Sequence, residues 1–148
     1  MAAPKTAKFG AFVISLSNGA SPETFAAPCG FTSKSLTFTK NLTEVSIPDC
    51  DDPDAPISLG RDVQSLSAAI TGEGVLAAEA VPTWEDFRDS SDSINCQVEI
   101  TFSSGVLTYE GFFHLESIAF GAEQGGRVTI NASMQSDGEV SGLWTPTP

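Results

Sequence analysis

The sequence predicts an all-β domain, either a β-sandwich or a partly open barrel, with one short helix. Apolar and polar residues alternate over residues 94–102 and again over 128–135, which is the period of half-buried strands. Clusters of Asn, Gly and Pro separate the alternating runs, as turns between short strands require. The 148 residues have the length of one domain, which we assign to residues 1–148.

The first half of the chain predicts three strands and one long loop. An apolar run over residues 9–16 ends at Ser17-Asn18-Gly19, and Asn-Gly favours a tight turn because both residues tolerate positive φ. Residues 34–40 and 63–71 alternate as strands do, and Val45 and Ile47 extend the first pattern briefly. Between them, residues 48–60 contain three prolines and four aspartates, which disfavour both a strand ladder and a helix. We expect a long, exposed, acidic loop there, and loops of that length are often functional.

The single predicted helix follows a Gly-Glu-Gly break at residues 72–74. Thr83 and Asp86 approximate a capping box at its start. Trp84 and Phe87 are three positions apart and therefore share one helical face, which we expect to point into the core.

The last third predicts a three-strand meander over residues 94–102, 106–119 and 128–135. Gly-rich turns connect its strands. Residues 141–148 lack periodicity and are rich in Pro, so we expect an extended C-terminal tail. Trp144 in that tail has no periodic partner and is a candidate for docking.

Charge restricts the partners. The formal net charge is -12 and the pI is about 4.1, so tight binding to nucleic acid phosphates is not expected. Four Lys precede Pro48 and only three Arg follow it. A negative field of this kind is most often a matter of solubility, and its sharper interpretation is a surface past which DNA moves without adhering.

No catalytic set of residues is apparent, so we predict a protein that is not an enzyme and needs no cofactor or metal. The one histidine, His114, lies on a predicted strand with Glu110, Phe112 and Glu116 on its face, which favours an exposed or interface position. The aspartates of the acidic loop fail the EF-hand pattern, because its sixth and twelfth positions are Asp54 and Gly60.

The three cysteines, Cys29, Cys50 and Cys96, are an odd set without a Cys-x-x-Cys pair. Buried free thiols in a reducing cytoplasm are the favoured interpretation, and a single disulfide remains an alternative. The N-terminus lacks the features of a signal peptide, and no apolar stretch reaches the roughly 20 residues of a bilayer-spanning helix. A soluble protein is expected.

The order of these segments resembles the tail tube (major tail protein) family of long-tailed siphophages and gene transfer agents. The resemblance covers residues 29–140. Residues 30–38 resemble the first tube strand of the family, and residues 65–74 with the helix after them resemble its strand, Gly-x-Gly break and lone helix. Residues 109–117, followed by a strand that ends in Ser136-Asp137-Gly138, resemble its closing hairpin. The Asp- and Pro-rich loop departs from the family pattern.

The resemblance implies a hexameric ring that stacks into a hollow tube for DNA, with strands from each subunit forming an inner barrel. Residues on the wet strand faces are the candidates for the lumen. They are Ser35, Thr37, Ser65, Ser67, Glu99, Glu110, Glu116, Asn131, Ser133 and Gln135. We expect the loop from Asp49 to Leu59 and the two termini of the chain to make the contacts between rings, and eight residues of the loop and the C-terminal tail are the named candidates. They are Asp49, Asp51, Asp52, Asp54, Ile57, Leu59, Leu143 and Trp144.

The implied location is the tail of a virion that is assembled in the cytoplasm of a bacterial host. The implied partners are further copies of the chain, a tape-measure protein, a tail terminator and baseplate or distal tail proteins, with DNA passing through unbound. The alternatives are a monomeric immunoglobulin-like or carbohydrate-binding module, and another ring protein of the virion such as a terminator or a decoration protein.

Overall fold

The strands of the chain join edge to edge in one antiparallel sheet, seen in a computed structural model that describes residues 3–17 and 25–147. Its order is β2-β1-β5-β6-β7-β4-β3, and β8 pairs with β6. The elements of the described residues are β1 (Phe12–Ser17), β2 (Phe25–Ala26), β3 (Phe31–Val45), β4 (Gly60–Val75), α1 (Val81–Asp89), β5 (Ile94–Phe102), β6 (Gly105–Gly121), β7 (Thr129–Ser136) and β8 (Ser141–Pro146). The predicted all-β class with one short helix is confirmed.

The core lies on one face of the sheet and is closed by α1. Alternate residues of the strands point to this face, among them Val98, Phe113 and Met134, and all three are almost fully buried. Trp84 and Phe87 of α1 are buried against them, as the helical spacing predicted. Each buried aromatic side chain contributes roughly 1.5–3 kcal/mol through the apolar area that it removes from water.

The sheet curls until its two ends approach each other. Four strands separate β1 from β3 in the sheet order. Nevertheless, Lys34 Nζ on β3 donates a hydrogen bond of 2.7 Å to the carbonyl oxygen of Phe12 on β1. The rings of Phe38 on β3 and Tyr109 on β6 also meet, with centroids 4.9 Å apart. The fold is therefore a single curled sheet that is held at its seam by side chains.

The β3–β4 hairpin extends well beyond the rest of the sheet. Residues 69–75 of β4 pair with β7, whereas residues 60–67 pair only with β3. Residues 39–45 and 60–67 therefore form a two-stranded arm, and residues 46–59 form the arm loop at its tip. The side chains of the arm are almost all exposed. The predicted loop at 48–60 lies at this tip.

Gly72 and Gly74 do not break β4, contrary to prediction. Their role is close packing within a strand that runs through to Val75. A Cβ at Gly72 would lie 3.0 Å from the ring of Phe31, and one at Gly74 would collide with the carbonyl oxygen of Gly30. Gly30 itself has a φ of 102°, a backbone conformation that favours glycine.

The predicted capping box is also wrong. A 3-10 turn at Ala78–Ala80 leads directly into α1, so Ala80 is the N-cap residue and makes no side-chain cap bond. Thr83 therefore already lies inside the helix. Pro82 occupies the first turn, where its missing N–H costs nothing.

Both ends of the chain pair with the sheet. The predicted meander of β5, β6 and β7 is confirmed, and the C-terminal segment continues it as β8, which pairs with residues 105–110 of β6. Ser17 and Leu16 of β1 pair with β2, while the predicted Asn18-Gly19 turn between them lies outside the described residues. Within the described ranges, no helix is long and apolar enough to cross a bilayer.

Candidate assembly surfaces

Polar side chains occupy most positions on the face of the sheet that points away from the core, and Phe112 and His114 of β6 share that face. Ser35 on β3 lies opposite Thr71 on β4, which lies opposite Ser133 on β7. The hydroxyl of Thr71 donates to that of Ser35 at 3.1 Å. Because residues two apart along a strand share a face, the register extends this surface over five strands. We call it the polar face, and its members include Ser35, Thr37, Ser65, Ser67, Thr71, Glu73, Glu99, Glu110, Asn131, Ser133 and Gln135.

Register therefore brings together all of the predicted lumen residues but one. Glu116 lies at a bulge between Leu115 and Ser117 and has no register partner in β7. Glu73 is a member that the sequence analysis missed, because Gly-Glu-Gly was interpreted as a turn. It lies opposite Asn131. The signal was the alternation of residues 67–73, which continues through Gly72.

The polar face carries carboxylates and no Lys or Arg among the described strand residues. The three cations within strands are Lys34, Lys40 and Arg61. They lie across from Gly72, Leu66 and Glu44, which are not residues of the polar face, so all three project from the other face of the sheet. Arg61 also pairs with Glu44 at 3.5 Å. The carboxylates of the polar face are thus not neutralised on their own surface, and its field is negative.

The arm loop holds most of the residues predicted to join rings. Asp49, Asp51, Asp52 and Asp54 are exposed, and Asp49 Oδ1 accepts a hydrogen bond of 2.9 Å from the backbone N–H of Asp51. None of the four forms an ion pair with a cation of the described chain. Apolar side chains are exposed beside them. They are Ile47, Ile57 and Leu59.

The other two predicted contact residues lie apart from the arm loop, on β8. Leu143 is opposite Thr108 and is 64% exposed. Trp144, the next residue, projects from the opposite face of β8, and its ring centroid lies 5.9 Å from that of Phe102. The tail is therefore a strand with one exposed aliphatic side chain and one tryptophan that packs partly on the sheet. The structure does not bring these residues next to the aspartates within one subunit.

The titratable side chains that chemistry would need are scattered. His114 Nε2 lies 3.2 Å from Asp137 Oδ2, and both side chains are about half exposed. Cys96 is buried and burial raises the pKa of its thiol to about 12, whereas Cys29 and Cys50 are exposed, contrary to the expectation of three buried thiols. All three are free, and no group of three or more potential metal ligands occurs among the described residues.

The model of the phage tail tube protein family matches residues 6–142 of this chain. Comparison with curated protein sequences gave no match.

The fold is similar to that of chains in several solved structures, of which three are described. A chain in the tail of an empty gene transfer agent particle, refined with helical C6 symmetry, is 20% identical with a TM-score of 0.71, over 92% of this chain and 98% of that one. A chain in the baseplate of the anti-feeding prophage is 10% identical with a TM-score of 0.63, over 97% of each. A chain of the SPP1 tail tube is 15% identical with a TM-score of 0.59, over 96% of this chain and 80% of that one.

Proposed function

This chain belongs to the phage tail tube protein family, and from that premise we propose that it forms hexameric rings that stack into a tube whose lumen is lined by the polar face. A tail tube protein is a structural component of the virion tail. The sixfold order is supported by the C6 symmetry of the gene transfer agent tail, which contains a similar chain. The protein acts by assembly, and we assign it no enzymatic activity.

The polar face is the observation that carries this proposal. The hydroxyl and amide groups of this face are uncharged donors, its carboxylates repel DNA phosphates, and its described strand residues include no Lys or Arg, so DNA in contact with this surface is not retained. If the face that carries Lys34, Lys40 and Arg61 lined the lumen instead, it would retain the genome. Each Lys or Arg that neutralises a phosphate strengthens DNA binding by counterion release. The lumen candidates are those named from the sequence, with Glu73 added.

Ring closure follows from the edges of the sheet. Among the described residues, β3 is the terminal strand of the sheet and pairs on one side only along its 15 residues. A long unpaired edge is a template for pairing with another chain. We propose that neighbouring subunits in a ring cover it and thereby make the inner barrel continuous.

Stacking of rings is assigned to the arm loop together with Leu143 and Trp144. The loop is exposed, acidic and rich in apolar side chains, and it lies at the tip of an arm that leaves the body of the subunit. Deletion of Asp51 to Ala55 should leave rings that no longer stack. Normal tubes from that variant in electron micrographs would contradict the assignment.

Ring-on-ring contacts are heterologous and propagate without limit, so another component must set the length of the tube. We assign this role to a tape-measure protein and a tail terminator, and we place baseplate or distal tail proteins at the other end. The baseplate origin of one similar chain supports the last assignment.

Negative-stain electron microscopy of the purified full-length protein tests the proposal. Rings and tubes with sixfold order are expected at high protein concentration, and light scattering should show mass increasing with concentration. A discrete monomer under all conditions would favour a monomeric sandwich module, and rings that never stack would favour a terminator or decoration protein. The family match favours neither alternative.

A further inference from the structure

A groove with a basic rim lies between the N-terminal segment and the curled sheet. It has a volume of roughly 440 Å³ and is lined by residues of the N-terminal segment, β1, β3 and β5. Its floor is apolar and includes Phe9, Phe12 and Ile100. Lys5, Lys8 and Lys34 belong to its lining, and none of the described lining residues is Asp or Glu. We call this the basic groove.

The basic groove is exceptional in a chain with 19 acidic and seven basic side chains. Lys34 is held in place, because its Nζ donates to the Phe12 carbonyl oxygen and lies 4.4 Å from the centroid of the Phe9 ring. None of the three lysines forms an ion pair with a carboxylate of the described chain. The groove thus presents positive charge that its own subunit leaves unbalanced.

We propose that the basic groove receives the acidic arm loop of a second copy of the chain, in the adjacent ring of the tube. This inference rests on the proposed stacking of rings and names the surface that the arm loop meets. The two surfaces are complementary in charge, because neither the four aspartates of the arm loop nor the three lysines of the groove pair with an oppositely charged group among the described residues. They also match in apolar character, since Ile47 is 71% exposed beside the aspartates and Phe9 is 53% exposed at the groove.

The position of both surfaces along β3 makes the contact intermolecular. Lys34 lies near the start of this strand and Val45, where the arm loop begins, is its last residue. Eleven residue steps of an extended strand span about 36 Å. An arm loop therefore does not fold back onto its own groove, but a copy displaced along the strand direction brings loop and groove together. Repetition of that displacement is a stack in which every subunit inserts one loop and accepts one loop.

Cysteine trapping tests the contact directly, because the arm loop already contains the exposed Cys50. Ala7 lines the groove and its replacement leaves all three lysines in place. In a Cys29→Ser background, Ala7→Cys should form disulfides with Cys50 under mild oxidation. Since each subunit gives and receives one link, a ladder of dimers, trimers and higher species is expected on a non-reducing gel. Cys50→Ser should abolish the ladder, and Arg127→Cys in the β6–β7 turn should give none.

Charge reversal tests the energetics. Lys5→Glu with Lys8→Glu, and separately Asp51→Lys with Asp52→Lys, should each lower the yield of tubes at least tenfold while rings persist. The four substitutions together should restore the yield to within twofold of the wild type. Arg127→Glu is the control for loss of a cation and should assemble normally, as should Glu123→Lys for loss of an anion.

Wild-type tubes that give no Ala7–Cys50 ladder, or reversed lysines that leave stacking intact, would overturn the proposed pairing while the tube function stands. Loss of stacking in both single-sided variants without recovery in the combined variant would also overturn it. Failure of the wild-type protein to form rings or tubes would instead count against the proposed function, and the pairing would fall with it.

Discussion

Lys34 and Phe12 hold the two ends of the sheet together: the Lys34 ammonium group donates a 2.7 Å hydrogen bond to the Phe12 carbonyl oxygen across a seam that no strand ladder closes among the described residues. The same ammonium group lies over the ring of Phe9. A single side chain thus joins β3, β1 and the N-terminal segment. It contributes to the seam together with the contact between the rings of Phe38 and Tyr109, and it also lines the basic groove.

Replacement of Lys34 by Met should therefore destabilise the fold although it adds apolar surface. A charge-assisted hydrogen bond and a cation–π contact at a partly exposed site predict a loss of about 1–2 kcal/mol in the free energy of unfolding. Urea unfolding followed by tryptophan fluorescence measures it. Lys40→Met is the matched control, because Lys40 is exposed on the arm opposite Leu66, and it should change stability by less than about 0.5 kcal/mol. Equal effects of the two substitutions would show that the seam contact contributes nothing.

The cysteines should differ in reactivity by their burial. Cys29 and Cys50 are exposed and should react rapidly with a thiol reagent in the native protein. Cys96 is buried on β5, where burial raises the pKa of its thiol to about 12, so it should react only after unfolding. Titration of native and denatured protein with the reagent gives the two counts directly. Rapid reaction of Cys96 in the native state would mean that β5 is more open than its packing indicates.

Burial of Cys96 also predicts a dependence of stability on pH. The pKa of this thiol in the folded protein, about 12, exceeds its ordinary value of 9.0, so the folded state binds more protons than the unfolded state between these values. Stability from this group is complete below pH 9 and falls as the pH rises to 12, by at most about 1.4 kcal/mol per pH unit. Cys96→Ala should flatten this part of the curve. An unchanged slope in that variant would assign the pH dependence to other groups.

Gly72 should tolerate no side chain, because the ring of Phe31 covers it. A Cβ there would lie 3.0 Å from the ring, and Phe31 in turn packs edge-on against Trp84 with centroids 5.8 Å apart. Gly72→Ala is expected to cost about 1–3 kcal/mol by overpacking. Addition of Phe31→Leu should lower the cost that Gly72→Ala imposes, and a double-mutant cycle measures that coupling. Gly10→Ala, where a Cβ would meet no atom within 4 Å, is the control.

The same glycine shows where sequence patterns stop being informative. The alternation of apolar and polar residues is a local feature of the sequence. It therefore predicted the positions of β5 and β7 and distinguished their buried residues from their polar ones. The room for Gly72 and Gly74 is set by Phe31 and Gly30, which lie about 40 positions earlier in the chain. Nothing within the segment itself distinguishes a glycine that breaks a strand from one that accommodates a ring. For that reason alone, Glu73 was not among the lumen candidates predicted from the sequence.

Long-range pairing likewise explains what was missed at the surfaces. Trp144 has no periodic partner near it in the chain, but its strand pairs with β6 and its ring meets Phe102, so the predicted tail is a strand. Lys34 projects from the core face of the sheet, where a cation is unexpected. Its partner, the carbonyl oxygen of Phe12, comes within reach only because the sheet curls. The acidic arm loop was predictable because composition alone determines that it is exposed. The groove proposed to receive it was not predictable, since three separate stretches of the chain build it.

Charge reversal on the polar face should impair DNA transfer without preventing assembly. Glu99, Glu110 and Glu116 were predicted from the sequence to face the lumen, and Glu99 and Glu110 lie on the polar face. Replacement of all three by Lys would place six cationic side chains of each type around every hexameric ring, and each phosphate that they neutralise adds counterion-release energy to retention of the genome. We expect normal tubes in micrographs and at least a tenfold loss of infectivity or gene transfer. Glu73→Lys should act in the same direction, because it lies on the polar face opposite Asn131.

The control for this experiment keeps the change in net charge and moves it off the polar face. Glu79 lies in the 3-10 turn before α1, Asp92 follows α1, and Glu123 lies in the β6–β7 turn. Glu79→Lys with Asp92→Lys and Glu123→Lys therefore matches the charge change of the triple variant, and it should leave DNA transfer near that of the wild type. An electrostatic barrier is screened by salt, and the defect of the polar-face variants should therefore shrink as ionic strength rises during DNA release from purified particles. Unchanged infectivity of the triple variant, in particles that contain it, would place those side chains outside the lumen. Equal defects in the test and control variants would mean that total charge, and not the polar face, governs passage of DNA.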